Sequence, residues 1–296
     1  MNQNKGILVY ARNNSKIDYV KQACFLAKRA REILGLPTSI VTDSPDYIRK
    51  QYPDYEQLFD KIIPIVWKPE DITEDTVLSR GEKHGLRNFY DGSLITTKLE
   101  WKNEARPTAF DVSPYEETLL LDTDIVISND IWTQCFKQKH DFLVYKQATE
   151  LLDIDREEIF TRVSDSSIDF YWATAVFFRK TVENQIFFDL VKHIQENWYH
   201  YCAVFQLNTP YYRNDYAFSI AIHIMNGYQT GNFAKPMPGK LYFTSDKSIL
   251  WKIERNSLLF LLEKPKYVGE YTLLRTKDIN VHCINKFSLN RCIDEQ

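Results

Sequence analysis

Cysteine is scarce and scattered: Cys24, Cys135, Cys202, Cys283 and Cys292 are odd in number and contain no Cys-x-x-Cys pair. That excludes a zinc ribbon, argues against a disulfide framework and points to a reducing compartment. An excess of charge of one sign is also missing. The 37 basic residues stand against 40 acidic ones, a net of −3, with no long basic block, so nucleic acid is not expected as a partner. No apolar window approaches the ~20 residues of a bilayer span, and residues 1–6 run directly into an expected strand, so a cytoplasmic protein without a membrane span is expected. No Gly-x-Gly-x-x-Gly and no P-loop follow that strand, which counts against a dinucleotide-binding domain and a P-loop enzyme. Internal repeats and low-complexity segments are absent as well.

What is present fits one large α/β domain: 296 residues supply ample material for a core. A short apolar strand at residues 6–10 leads through a polar turn to a helix over 17–34, where Val20, Ala23, Cys24, Ala27 and Ala30 recur at helical spacing. Gly35 ends it, and residues 38–43 form a second strand, giving a β-α-β unit with a right-handed crossover. A short helix over 45–52 and a third strand over 61–66 continue the alternation. Residues 67–91 read as a long functional loop, and residues 93–103 as a helix carrying Lys98 and Trp101. Strands are then expected at 141–145 and 171–178, with helices over 182–198 and 217–225. The 18 Tyr, 18 Phe and 6 Trp would suit stacking on bases or sugar rings, although most belong in a core.

Everything is arranged about Leu119-Leu120-Leu121-Asp122-Thr123-Asp124-Ile125-Val126-Ile127. Two apolar runs read as buried strand on either side of an acidic interruption. In extended backbone, residues two apart project to one side, so Asp122 and Asp124 point together beyond the strand end. Two adjacent carboxylates repel unless a positive charge lies between them. Hard oxygen ligands suit Mg²⁺ or Mn²⁺, and such a cation can hold a diphosphate. In α/β proteins, ligands gather at the carboxyl ends of strands.

Together these features resemble the GT-A-fold nucleotide-sugar glycosyltransferases with an Asp-x-Asp motif, loosely the glycogenin-like, family 8-type branch. The resemblance rests on the β-α-β start without a P-loop, the Leu-Leu-Leu-Asp-Thr-Asp segment and the small residues Ala173-Thr174-Ala175. Asn214-Asp215 at a helix start and a late His282-x-x-x-Lys286 complete it. It implies a single Rossmann-like mixed sheet flanked by helices with C-terminal elaborations, residues 1–130 forming a nucleotide-binding half and 131–296 an acceptor-side half with a closing tail. It also implies transfer of a sugar from a UDP-sugar to an unidentified glycan, lipid or protein acceptor, with Mn²⁺ or Mg²⁺ bound and a retaining outcome favoured.

By the same resemblance, Asp122, Asp124 and His282 would ligate the metal, Asp122 also serving ribose, while Lys286 and Arg12 would contact the diphosphate. Tyr10 and Asp43, ending the first two strands, would hold base and ribose, and Lys98 would contact the sugar. Asp215 would act at the anomeric carbon, as base or as a stabiliser of oxocarbenium charge, unless it is an ordinary helix cap. A sugar-phosphate nucleotidyltransferase is an alternative, although Tyr10-Ala11-Arg12-Asn13-Asn14 lacks the glycines such enzymes place there. A catalytically idle nucleotide-sugar-binding module is another.

Overall fold

The first apolar run forms β1 (Lys5–Ala11), buried along nearly its whole length as a strand covered on both faces must be. In the computed structural model, which describes residues 4–65, 85–90, 96–101, 104–152, 161–164, 168–207, 211–264 and 269–296, α1 (Tyr19–Arg29) follows. Asp18 caps it, accepting the Lys21 N–H at 2.9 Å. Its buried face carries Val20, Ala23, Leu26 and Ala27. A wider π-turn carries the chain to Leu34, and Gly35 reverses it at φ 65°, a left-handed position that a side chain would strain. β2 (Thr38–Thr42) returns parallel to β1, and after α2 (Pro45–Gln51), β3 (Ile62–Pro64) adds parallel to β2. The expected β-α-β opening is present.

The next segment corrects two expectations. Where a helix is expected over residues 93–103, the described residues 96–101 form β5 (Thr96–Trp101), antiparallel to β4 (Gly85–Tyr90) in a two-stranded ribbon. β4 lies within residues 67–91, expected to be loop; the expectation for residues 67–84 and 91 lies outside the described residues. The period is two rather than three and a half: Thr97, Leu99 and Trp101 alternate with Thr96, Lys98 and Glu100, and threonines with an aromatic favour strand.

β6 (Glu117–Leu121) then enters beside β1 in parallel, and β7 (Ile125–Val126) resumes the apolar run beyond the two aspartates. β8 (Phe142–Tyr145), β9 (Ala148–Glu150) and β10 (Trp172–Arg179) follow, then the helices α3 (Val182–Glu196) and α4 (Asn214–Met225). The C-terminal part holds β11 (Lys235–Pro236), β12 (Leu241–Phe243), β13 (Ile249–Ile253), β14 (Ser257–Glu263), β15 (Tyr271–Lys277) and β16 (Val281–His282). It finishes on α5 (Lys286–Asp294), a helix the sequence reading did not anticipate.

Among the described residues the main sheet is mixed and seven-stranded, in the order β11-β8-β10-β6-β1-β2-β3, and helices flank it as expected. A four-stranded sheet, β7-β16-β12-β9, stands beside it, and β13-β14-β15 forms a third. β6 and β7, three residues apart, therefore belong to different sheets, and the Asp-Thr-Asp segment lies at their seam. The larger core gathers Ile7, Val9, Leu120, Phe177, Phe188 and Phe218 on the main sheet, and a smaller one joins Val126 and Val281 to Leu258, Phe260 and Leu289.

Gly6 on β1 supports this arrangement by its lack of a side chain. A Cβ there would come within 2.3 to 2.5 Å of the Tyr115 ring, whose hydroxyl is hydrogen-bonded to Ser39 at 2.7 Å. Gly6→Ala is expected to cost about 1–3 kcal/mol of stability by overpacking, measured by urea unfolding. An unchanged midpoint would mean that the ring withdraws freely.

Candidate active site

β6 ends at Leu121, but the Asp122 N–H still donates to the Thr174 carbonyl at 3.0 Å, so the first aspartate is held against β10. The chain then crosses to β7, where β16 pairs antiparallel and sets His282 opposite Ile125. The Cys283 N–H closes that pairing on the Asp124 carbonyl at 2.8 Å. His282 Nε2 thereby comes to 3.0 Å from Asp124 Oδ2. Asn285 caps α5 by accepting the Ser288 N–H at 3.0 Å, which places Lys286 at the first helical position. Its ammonium donates to the same Asp124 oxygen at 2.5 Å and to the Ile284 carbonyl at 3.2 Å.

Asp122 has its own counter-charge, Arg106, which opens a 3₁₀ turn (Arg106–Thr108). The guanidinium donates to Asp122 Oδ1 at 2.6 Å, to the Ala173 carbonyl and to the Thr174 carbonyl at 3.3 Å. The side chain of Asp122 is 36% exposed and that of Asp124 only 6%, so Asp122 is the carboxylate more open to a ligand. Burial would raise the Asp124 carboxyl, but the His282 and Lys286 charges and hydrogen bonds outweigh it and hold the group well below the usual carboxylate range. Asp122 is pushed upward, by burial first; Arg106 opposes that and the Asp124 charge adds to it. Ligand atoms of Asp122, Asp124 and His282 all lie within 4.8 Å of one another. Two carboxylate oxygens and an imidazole nitrogen form a donor set better suited to Mn²⁺ than to Mg²⁺, which takes oxygen ligands.

These groups line a cavity of about 260 Å³ at the carboxyl ends of β1 and β6. Tyr10 and Arg12 form part of its wall. The Tyr10 hydroxyl is bonded to Thr108 at 2.9 Å, and burial raises its phenol. Arg12 is held by Glu104 and, at 3.3 Å, by Asp43. Asp43 meets Arg12 and Ser44 rather than the cavity wall. Lys98 stands on β5, and its side chain lies outside the described residues.

Asp215 also lines the cavity, but it is not the cap of α4; that position belongs to Arg213. Its Oδ1 accepts the Ala173 N–H at 2.9 Å and its Oδ2 the Arg213 guanidinium at 3.2 Å. The carboxylate thus ties the helix start to β10. Asp122, Asp124, His282, Lys286, Tyr10, Arg12 and Asp215 accordingly meet in one cavity, whereas Asp43 reaches it through Arg12.

Sequence reasoning missed Arg106, Arg213 and the adjacent rings of Trp172 and Phe243, 5.2 Å apart in the cavity wall. For Arg106 a signal existed: a lone arginine in Ala105-Arg106-Pro107-Thr108-Ala109 shortly before the acidic strand. It missed Gln22 as well, fully buried on α1, which donates to Asn290 at 2.8 Å and accepts from Thr123 between the two aspartates.

No protein-family model matches the chain, and no curated protein matches it in sequence. Among solved structures it is similar to the glycosyltransferase GlyE of Streptococcus pneumoniae TIGR4, with a TM-score of 0.40 and 11% identity, covering 79% of this chain and 45% of that one. It is also similar to the galactosyltransferase LgtC in complex with donor and acceptor sugar analogues (0.43, 12%, 73% and 69%) and to mouse xyloside xylosyltransferase 1 in its apo form (0.42, 10%, 78% and 84%). The chain spans less than half the length of GlyE.

Arg106→Met would remove the guanidinium shared by Asp122, Ala173 and Thr174. Stability at neutral pH is expected to fall by about 2–4 kcal/mol, somewhat less than for a fully buried pair because Asp122 is partly exposed. Chemical denaturation measures it. A loss below about 1 kcal/mol would show that solvent in the cavity suffices for Asp122.

Proposed function

We propose that this protein transfers a sugar from a nucleoside-diphosphate sugar, with UDP as the carrier, to a hydroxyl-bearing acceptor, using Mn²⁺ or Mg²⁺ at Asp122, Asp124 and His282. The observation that carries this reading is the convergence of that oxygen and nitrogen set with Arg106, Arg12 and Lys286 in one cavity at the ends of parallel strands. When bound, the ion would offset charge on the departing diphosphate.

The chain's own groups divide the work along the cavity. Tyr10 offers a ring to the base. Arg12, steadied by Asp43 and Glu104, offers a fixed cation near the nucleotide, and Asp43 acts there through Arg12. Lys286 and Arg106 add positive potential where the leaving group gathers negative charge. Lys98 is retained as a sugar contact on the strength of the resemblance. Asp215, with both oxygens held by Ala173 and Arg213, is better placed to orient the sugar and steady positive charge at the anomeric carbon than to swing as a mobile base, which fits a retaining outcome.

We further propose one catalytic unit over residues 1–296, with the nucleotide end in 1–130 and the acceptor side in 131–296. All five cysteines are free thiols, which fits a reducing, cytoplasmic setting. Among the described residues no helix is long and apolar enough to cross a membrane.

Asp124→Asn is expected to weaken UDP binding in the presence of Mn²⁺ by about tenfold or more, read by calorimetry, since it removes a charged metal ligand. Equal affinity in variant and parent would overturn the metal assignment. For the chemistry, Asp215→Asn should keep UDP–Mn²⁺ binding and lose turnover of the UDP-sugar by ~10²-fold or more. Turnover within a few-fold of the parent would leave Asp215 as a structural tie between α4 and β10. A parent that gains thermal stability from UDP and Mn²⁺ but turns over no nucleotide sugar would be an idle binding module.

A further inference from the structure

β14 reads Ser-Leu-Leu-Phe-Leu-Leu-Glu, the unbroken apolar run of a strand buried on both faces. Among the described residues, only one of its faces is fully buried. Leu258, Phe260 and Leu262 are at most 1% exposed and join a core with Leu250, Ile253, Leu289 and Cys292. Leu259 and Leu261 project the other way and stay half-buried. Leu261 stands opposite Ile249 on β13 and Leu273 on β15, so an apolar row crosses the outer face. Leu273 is 62% exposed. At the rim, Trp251 sits in the bulge between Leu250 and Lys252, 51% exposed, with Arg291 5.3 Å over its ring.

Beside the apolar row lies a basic one. Lys252 and Arg275 flank Leu259, and the next pair across the sheet is Ser257 and Lys277. Glu254 contacts that row, 2.6 Å from Arg275 and 3.4 Å from Lys252, and Glu263, on the same face of β14, pairs with Lys247 at 3.6 Å. The outer face therefore joins an exposed leucine to three cations, Lys252, Arg275 and Lys277, against two carboxylates, Glu254 and Glu263, with Trp251 at its β13 edge.

We propose that the outer face of β13-β14-β15 docks on an anionic lipid bilayer surface. Leu273 and Trp251 would enter the headgroup boundary, where amphipathic aromatics are favoured, while Lys252, Arg275 and Lys277 would face lipid phosphates and carboxylates. The alternative occupant, a second copy packed face to face, would set two faces of the same net sign against each other, which costs energy without intervening anions. Nothing here depends on the sugar-transfer reading, since the residues concerned lie outside the cavity.

The test is co-sedimentation of the full chain with sucrose-loaded vesicles, either pure phosphatidylcholine or the same lipid with about one-third phosphatidylserine. The parent is expected to pellet with the anionic vesicles, to stay in solution with the neutral ones, and to be released as salt is raised. Lys252→Glu with Lys277→Glu, and separately Trp251→Ser with Leu273→Ser, should each lower partitioning by about tenfold or more. Both pairs are exposed, so circular dichroism should match the parent. A parent that stays in solution with anionic vesicles, or that pellets equally with both kinds regardless of salt, overturns the proposal. So does a parent dimer that Leu273→Ser converts to monomer in sedimentation velocity, which would assign the face to a second copy.

Discussion

One oxygen of Asp124 receives both His282 and Lys286, groups 158 and 162 positions further along the chain. A carboxylate that is 6% exposed could not remain charged on its own, because the cost of burying it would drive it to take up a proton. The two C-terminal groups remove that cost. In doing so they require β16 to pair with β7 and α5 to begin where it does. Both elements then deliver Val281, Cys283, Leu289 and Cys292 to the smaller core. The electrostatics of one side chain and the packing of the C-terminal region are therefore a single problem with a single solution.

Arg106 plays the corresponding part for Asp122, with a difference. It also satisfies the carbonyls of Ala173 and Thr174, and Ala173 gives its N–H to Asp215. The start of β10 is thus pinned from both sides by charged groups. The small side chains of Ala173, Thr174 and Ala175 are what let a guanidinium and a carboxylate approach that backbone. This wall of the cavity is fixed by side-chain-to-backbone bonds in addition to its backbone bond from Asp122 and its pairing with β8 and β6.

How much of this was legible in the sequence depends on how local its cause is. β1, β6, β8 and β10 lie within the main sheet and are covered on both faces, so each reads as a short, mostly apolar run, while β2 was legible from Ile40, Val41 and its flanking β-branched threonines. The Asp-x-Asp pair at a strand end and the late histidine were equally visible. The β4-β5 ribbon was not: Lys98 and Trp101, three apart, imitated a helical period, and only the alternation of Thr97, Leu99 and Trp101 contradicted it. α5 was overlooked although Asn285, Leu289, Cys292 and Ile293 mark a cap and an apolar face. Arg106 has no periodic neighbours at all, so its role depends on contacts with residues 16 to 68 positions away. The pairing of β7 with β16 rests on strands of two residues each, too short for any pattern to announce.

The seam between the two sheets also has a meaning in time. Asp122 and Asp124 leave the ribosome more than a hundred residues before His282 and Lys286, so a growing chain carries the carboxylates while their partners do not yet exist. During that interval β6 can already lie beside β1, since both come from the first part of the chain, but β7 has no strand to join. Water must then serve Asp124 in place of the imidazole and the ammonium, which leaves the acidic segment open to solvent until the C-terminal strand arrives. The last strand pairing to become possible is thus the one that closes the cavity, and the strands of the main sheet's parallel core all exist before the Asp124 partners do.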